Sequence, residues 1–173
     1  MRFIKGPDFP TGGLICGRQG IVEGYRTGRG RVVVRARMHT EQLRGGKTQI
    51  VVTEIPYQVL KTTIIERIAE VVKAGKIPDI SDVQDHSDRT GMRIVVDLRK
   101  GAEPEVVINQ LYQYTPLQST FSIINIALVN RAHRTLTLRD MLVYFLDHRK
   151  EVIRRRTAFL LRRARQRAHI LEG

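Results

Sequence analysis

The sequence predicts an α+β fold in which helices pack on an antiparallel or mixed sheet and a long C-terminal helix protrudes. Three observations lead to this prediction. Stretches with strand-like alternation of apolar residues are mixed with two segments of helical periodicity. The residues from His148 onward contain no proline, and no glycine before Gly173, so nothing there breaks a helix. With 173 residues, 42% of them hydrophobic, the chain can form one core with an appendage.

Residues 1–30 are expected to form a connector and a short helix. Glycine and proline are frequent in residues 1–15, which is typical of an extended segment. A helix is predicted from about Arg18 to Arg26, ended by Gly28. The single cysteine, Cys16, excludes an internal disulfide and fits a reducing cytoplasm. We expect it to be a small buried thiol.

Residues 31–136 are expected to form the α+β domain, which begins with a hairpin. Arg31–Met38 alternates as a strand, with arginines at 31, 35 and 37 on one face and Val32, Val34 and Ala36 on the other. One face of this strand would therefore be a basic row. A second strand over Lys47–Ile55 follows a turn at Gly45–Gly46.

The rest of this domain alternates helices and strands. A helix from about Gln58 to Ala74, stopped by Gly75, precedes strands at Ile80–Gln84 and Met92–Leu98. Pro104 opens a helix that ends near Tyr114. We expect a last core strand at Phe121–Val129, paired with a short strand near Arg134–Leu136.

Residues 137–173 are expected to form one long helix, capped by Thr137. Small or apolar residues recur at steps of three and four and form a narrow stripe: Ile153, Thr157, Leu160, Ala164, Ala168 and Leu171. Arginine covers most of the remaining surface. Because such a stripe cannot be buried by one helix alone, we expect a partner helix and interpret the sequence as a fragment.

The net charge of +13 is distributed unevenly. Residues 1–50 contain 10 Lys and Arg residues and 3 Asp and Glu residues. Residues 51–130 contain 8 basic and 10 acidic residues, and residues 131–173 contain 12 basic and 4 acidic residues. This asymmetry favours a polyanionic partner, because Lys and Arg neutralise phosphates. No apolar stretch reaches the length of a membrane span, and we expect no membrane contact.

Two patterns suggest other chemistry but fit it poorly. Gly45–Thr48 resembles the end of a phosphate-binding loop, yet Glu41 stands where that loop needs its first glycine. The carboxylates of Asp79, Asp82, Asp85 and Asp88 lack the spacing of a calcium loop and are expected to be solvated. We therefore expect no nucleotide site and no metal site in this chain.

Several motifs, in this order, resemble the A subunit of bacterial type IIA topoisomerases, the gyrases in particular. They are Gly6–Gly13, Tyr25–Arg31, Glu54–Val59, Asp88–Val95, Thr115–Phe121 and His148–Gly173. The resemblance covers nearly the whole chain. Local departures are Asn130–Thr135, where the family usually has a Gly-containing turn, and Leu60, where Asn is common.

The resemblance implies a fragment with the tower domain (31–136) and the first helix of a coiled-coil arm (137–173). The complete enzyme would be an ATP-dependent DNA topoisomerase, with double-stranded DNA, a second A subunit, and a B subunit that binds ATP as its partners, and it would use Mg²⁺. In that family the DNA-cleaving tyrosine lies in a domain that precedes the Gly6–Gly13 motif. The fragment is therefore expected to be catalytically inactive, to need no cofactor and to associate weakly or not at all.

The expected role is to support the cleaved duplex through phosphate contacts, which position DNA without reading its sequence. The residues chosen for this contact are the Lys and Arg around the Gly28–Gly30 turn and its hairpin: Arg26, Arg29, Arg31, Arg35, Arg37 and Lys47. Two alternatives remain: the corresponding part of topoisomerase IV, and a stand-alone basic nucleic-acid-binding module with a helical association arm.

Overall fold

A computed structural model of the chain describes residues 3–173 and confirms the α+β prediction. The strand pairs within its three sheets are antiparallel where their register is defined. The helices are α1 (Gln19–Thr27), α2 (Lys61–Lys73), α3 (Pro104–Tyr114) and α4 (Leu138–Glu172). The strands are β1 (Leu14–Cys16), β2 (Arg29–Arg35), β3 (Arg37–Gln42), β4 (Thr48–Glu54), β5 (Ile80–Asp85), β6 (Ile94–Leu98), β7 (Gln118–Ile124), β8 (Ile126–Val129) and β9 (Ala132–Thr135).

The described residues form two compact units. The first holds the residues up to Val22 together with Arg31–Ser122, and the second holds Glu23–Gly30 together with Ile123–Gly173. The expected division into 1–30, 31–136 and 137–173 stays a prediction.

A four-stranded sheet in the order β3-β4-β6-β5 organises the first unit. Period-two alternation places Ile50 and Val52 of β4 on one face, next to Ile94 and Val96 of β6. Apolar residues of α2 and α3 pack against this face, and Ile64, Ile68 and Leu111 among them are fully buried. Burying one such side chain stabilises the fold by about 1.5–3 kcal/mol, so this sheet and its helices contain the main core.

The predicted strand over Arg31–Met38 is wrong in one respect, because the chain changes sheets at Ala36. Residues before it belong to β2, in a three-stranded sheet of order β1-β2-β7, and residues after it belong to β3. The N–H of Ala36 donates to the carbonyl of Leu117 at 2.8 Å, just before β7, so the pairing of β2 ends at this residue. The basic face of the predicted strand is therefore divided between two sheets. The predicted turn at Gly45–Gly46 is confirmed, and it joins β3 to β4.

The predicted core strand over Phe121–Val129 is likewise interrupted, at Asn125. The N–H of Asn125 donates to the carbonyl of Gly28 at 2.8 Å, and its own carbonyl accepts from the N–H of Leu136 at 2.9 Å. Beyond this break, β8 pairs with β9 as an antiparallel hairpin, so the predicted short pairing strand is confirmed. The hairpin turn contains Asn130 and Arg131, with φ of 51° and 66°.

The long helix α4 begins as predicted at the Thr137 cap. The Thr137 hydroxyl oxygen accepts from the N–H of Asp140 at 3.1 Å, and the hydroxyl donates to the Asp140 carboxylate at 2.7 Å. None of the residues of α4 is buried. Within residues 3–173, no helix has both the length and the apolar character that a membrane crossing requires.

The N-terminal segment contains a paired strand that was not predicted. Residues Leu14–Cys16 form strand β1, which sequence periodicity did not reveal, at the edge of the three-stranded sheet. Cys16 is exposed there, so the prediction of a buried thiol is wrong. Before β1, the ring of Phe9 packs on Tyr57 and Phe121, at centroid distances of 5.6 and 5.0 Å. This aromatic cluster fixes the connector to the first unit.

Candidate nucleic-acid interface

A turn at the end of α1 positions Arg26 and Arg29 in the second unit. The Thr27 hydroxyl lies 2.9 Å from the carbonyl oxygen of Glu23 and 2.8 Å from that of Arg29, either of which can accept its proton. The N–H of Arg29 donates back to this hydroxyl at 3.2 Å. Both arginine side chains are exposed. The backbone that carries them is therefore held rigidly, while their guanidinium groups extend into solvent.

Gly28 is required at the centre of this turn. Its φ is +80°, and a Cβ placed on it would collide with the carbonyl oxygen of Leu136. Its N–H donates to the carbonyl of Gly24 at 2.9 Å. Because L-residues rarely adopt this backbone conformation and no space exists for a side chain, glycine is the residue that fits.

Arg31 is exposed on β2 in the first unit. A Cβ on Gly20 would collide with the backbone carbonyl of Arg31. The absence of a side chain at position 20 lets the start of α1 lie directly on β2. This contact fixes the backbone at Arg31 and leaves its guanidinium group in solvent.

Arg35 is held by side chains of its own unit. Its Nε donates to Oε1 of Gln118 at 2.6 Å, and its guanidinium carbon lies 4.8 Å from the centre of the Tyr112 ring. The Tyr112 hydroxyl donates to the carbonyl of Ala36 at 2.9 Å, and burial raises the pKa of that hydroxyl. Arg35 is therefore part of the framework around Ala36, and it is only partly exposed.

Arg37 is paired with Glu54 at one end of the β3–β4 hairpin. Its Nε lies 3.0 Å from Oε1 of Glu54, whose Oε2 accepts from the N–H of Gly13 at 2.6 Å. The hydrogen bond from Gly13, followed by that from Arg37, lowers the pKa of the Glu54 carboxyl. The Arg37 side chain is half exposed, but its charge already has a partner.

Lys47 lies at the opposite end of the same hairpin. In the β3–β4 register Arg37 is paired with Glu54, whereas Gln42 is paired with Thr48, next to Lys47. At about 3.4 Å per residue, these ends are about 20 Å apart. The predicted contact residues therefore extend along the whole hairpin, with Arg37 at one end and Lys47 at the other. Arg26 and Arg29 belong to the second unit and the other four predicted residues to the first.

The outer face of the four-stranded sheet carries a polar network around Glu41. Its carboxylate accepts from Arg93 Nη2 and from Gln49 Nε2, both at 2.6 Å, and lies 3.0 Å from Nε2 of His39. The hydrogen bond from Arg93, followed by those from His39 and Gln49, lowers the pKa of Glu41 to about 2. Arg93 is thus neutralised within the fold.

The aspartates of the Asp79–Asp88 region mostly stabilise local turns. Asp85 accepts from the N–H and hydroxyl of Ser87 and pairs with Lys61 at 2.9 Å, which together lower its pKa to about 2. Asp88 accepts from the N–H of Thr90 at 2.7 Å. Within residues 3–173, no group of three or more His, Cys, Asp or Glu side chains is arranged to share a metal ion.

Sequence reasoning missed the cations near Lys47. The register that pairs Gln49 with Asp97 places Lys47 level with Arg99, at the same end of the sheet. Arg44 and Lys100 lie in the adjoining loops. The Arg99–Lys100–Gly101 sequence was a visible signal, but its closeness to the hairpin tip depends on pairing between strands far apart in the chain.

Comparison with known proteins places the whole chain in one family. The sequence profile of the A subunit of DNA gyrase/topoisomerase IV matches residues 1–173. The chain is 55% identical over 175 residues to the DNA gyrase A subunit of Pseudomonas aeruginosa, an alignment that covers all of this chain and 19% of that protein.

Two other relatives give the same result. The DNA gyrase A subunit of Brachyspira hyodysenteriae is 49% identical and that of Staphylococcus epidermidis 50% identical, each over 174 residues and all of this chain. The chain spans 21% and 20% of these two proteins. It therefore corresponds to about a fifth of the length of the curated relatives that it matches.

Proposed function

This chain belongs to the family of DNA gyrase and topoisomerase IV A subunits, and on that premise we propose that it is a duplex-DNA-supporting part of a gyrase A subunit. Residues 31–136 would be the tower domain, which holds the flank of the cleaved duplex. Residues 137–173 would be the first helix of the coiled-coil arm. Both roles are architectural and electrostatic, because phosphate contacts fix the position of DNA without reading its sequence.

The observation that carries the proposal is the state of Arg26 and Arg29. Both are exposed on a rigid turn, and neither forms an ion pair with another residue in the part of the chain that the structure describes. By contrast, Arg93 and Arg37 are neutralised by carboxylates. Exposed guanidinium groups on a fixed backbone suit phosphate oxygens, which they bind through charge-assisted hydrogen bonds.

The other predicted contact residues differ in whether their side chains already have a partner. Arg31 and Lys47 are exposed and form no ion pair among the described residues, whereas Arg35 and Arg37 would have to exchange their present partners for a phosphate. We therefore assign the main phosphate contacts to the exposed residues without an ion pair within residues 3–173, which are Arg26, Arg29, Arg31 and Lys47.

In the complete enzyme, we propose that this part acts during ATP-dependent strand passage and supercoiling in the bacterial cytoplasm. Its protein partners would be a second A subunit, with which it would form a pair of A subunits, and the B subunit, which would bind Mg²⁺ and ATP. The DNA-cleaving tyrosine would lie outside this chain, so the chain alone would bind DNA without cutting it. Topoisomerase IV is the alternative within the same family.

The test is fluorescence anisotropy of a labelled duplex of about 30 base pairs, titrated with the chain at several salt concentrations. Three proteins are compared: wild type, Arg26→Gln/Arg29→Gln, and the control Lys61→Gln/Arg67→Gln. The control removes the same two charges, but Lys61 and Arg67 are paired with Asp85 and Glu70 at 2.9 Å. Circular dichroism establishes that all three proteins are folded.

We expect sequence-independent binding that weakens steeply with salt. The Arg26→Gln/Arg29→Gln double should lower the slope of log K against log salt by about 2, since each lost phosphate contact removes about 0.9. The control should keep the wild-type slope. Absence of wild-type binding even at low salt would overturn the proposal, and equal losses in both doubles would show that only net charge matters.

A further inference from the structure

One end of the four-stranded sheet brings four cations together. We call Arg44, Lys47, Arg99 and Lys100 the sheet-end patch. Gln49 of β4 is paired with Asp97 of β6, so two residues further along each strand Lys47 and Arg99 are level. Arg44 lies in the tip of the hairpin, and Lys100 follows Arg99 in the loop that leads to α3.

The loops that carry these residues are fixed by backbone hydrogen bonds. The N–H of Leu43 donates to the carbonyl of Lys47 at 2.7 Å, which closes the hairpin tip. The N–H of Arg99 donates to the carbonyl of Asp79 at 2.8 Å, and the carbonyl of Arg99 accepts from Ala102 at 3.1 Å. Between the loops is a cavity of about 140 Å³, lined by Leu43, Lys47, Thr48, Ser81, Asp97 and Leu98.

The charges of this patch have no partner within residues 3–173. All four side chains are exposed, and none of them forms an ion pair there. Four cations elsewhere in the same unit do form ion pairs: Arg37 with Glu54, Arg93 with Glu41, Lys61 with Asp85 and Arg67 with Glu70. Four cations without an ion pair among the described residues therefore lie at the hairpin-tip end of the sheet.

Nearby carboxylates indicate what kind of anion fits. Asp97 lines the cavity between the cations, and Asp79 and Asp82 lie in the adjoining segment. A compact anion in the cavity would lie next to a carboxylate and be repelled. An extended anion whose charges are spaced along a chain can meet the hairpin cations and the Arg99–Lys100 loop on either side of it.

We propose that the sheet-end patch binds the phosphodiester backbone of duplex DNA, as a second contact separate from the Arg26–Arg29 turn. This inference rests on the proposed function, since it assumes that duplex DNA is the partner. Because the patch lies about 20 Å along the hairpin from Arg37, it contacts different phosphates from any that reach the Arg37 end.

The experiment uses the whole chain and the labelled duplex of about 30 base pairs, titrated at several salt concentrations. The variants are Lys47→Gln/Arg99→Gln and, independently, Arg44→Gln/Lys100→Gln, with Lys61→Gln/Arg67→Gln as the control of equal charge. In a second measurement, inorganic phosphate is added to the wild-type complex at constant ionic strength.

We expect each double variant of the sheet-end patch to lower the slope of log K against log salt by about 2, since each lost phosphate contact removes about 0.9. The control should keep the wild-type slope, and inorganic phosphate should not displace the duplex. Wild-type slopes in both patch doubles would overturn the inference, as would displacement by inorganic phosphate, which would identify a site for a free anion.

The results separate this inference from the proposed function. If only Arg26→Gln/Arg29→Gln lowers the slope of log K against log salt, the proposed function stands and the sheet-end patch does not bind DNA. If only the two double variants of the sheet-end patch lower this slope, the patch binds DNA and the Arg26–Arg29 turn does not. If the wild-type chain does not bind duplex at low salt, the proposed function itself fails.

Discussion

The carboxylate of Glu54 accepts a hydrogen bond from the backbone N–H of Gly13, 41 residues earlier in the chain, at 2.6 Å. The same carboxylate holds Arg37 at 3.0 Å. One side chain therefore connects the N-terminal connector to the end of the β3–β4 hairpin.

Replacement of Glu54 tests how much this connection stabilises the first unit. We expect Glu54→Ala to lower the free energy of unfolding by about 1 kcal/mol, which is less than the usual 1.5–3 kcal/mol or so for a hydrogen bond to a charged group, because the side chain is partly exposed. Urea unfolding followed by circular dichroism measures the change. Glu66→Ala, at an exposed position of α2, is the control and should leave the midpoint unchanged.

The hydrogen bonds of Glu41 should make the free energy of unfolding depend on pH in the acid range. Its folded-state pKa is about 2, below the value of about 4.3 in an unfolded chain. The stabilisation is therefore complete above the unfolded pKa and is lost as the pH falls toward 2. We expect Glu41→Gln to reduce the difference between urea midpoints at pH 6 and pH 3. An equal difference in both proteins would mean that Glu41 does not contribute.

Gly28 and Gly45 provide a matched pair for separating backbone strain from steric collision. Both have positive φ, but a Cβ on Gly28 meets the Leu136 carbonyl, whereas one on Gly45 meets nothing within 4 Å. We expect Gly45→Ala to cost about 1–2 kcal/mol from backbone strain alone. Gly28→Ala should cost about 3 kcal/mol, because the collision adds to the strain. Equal losses in thermal unfolding would argue against the collision.

The β8–β9 hairpin can be stabilised at its turn. Arg131 has a φ of 66°, a conformation that glycine adopts without strain. We expect Arg131→Gly to raise the free energy of unfolding by about 0.5–1 kcal/mol, with strain relief partly offset by the greater freedom of the unfolded chain. The control Arg134→Gly, within strand β9, should lower it. A loss at both positions would be inconsistent with strain at Arg131.

Hydrophobic periodicity predicted α2, α3 and most strands, because it reports which residues face the core, whereas α4 was predicted from a long segment without helix-breaking residues. It did not predict the breaks at Ala36 and Asn125. In both places apolar residues continue along the sequence, but the bonds of Ala36 to Leu117 and of Asn125 to Gly28 lie at the ends of β2 and β7, and the chain leaves that sheet there. Alternation specifies a face of a strand, whereas the partner of that strand depends on tertiary pairing.

The candidate site was predictable only in part, for the same reason. The abundance of Lys and Arg indicated a polyanionic partner, but which charges are free depends on contacts across the sheet. Arg93 is neutralised by Glu41, 52 residues earlier, and Arg37 by Glu54, 17 residues later. The sheet-end patch was hidden because Lys47 and Arg99 become neighbours only through the β4–β6 register.

Helix α4, with no buried residue along its 35 residues, should behave differently from the cores of the two units in hydrogen–deuterium exchange. Its amides are protected only by bonds within the helix, so they open by local fraying rather than by global unfolding. Exchange should be slowest in the turns that follow the first one after the Thr137 cap, where the N–H groups have acceptors within the helix, and it should accelerate toward Gly173. Any ligand or partner that covers α4 would then be mapped, residue by residue, by the amides whose exchange it slows.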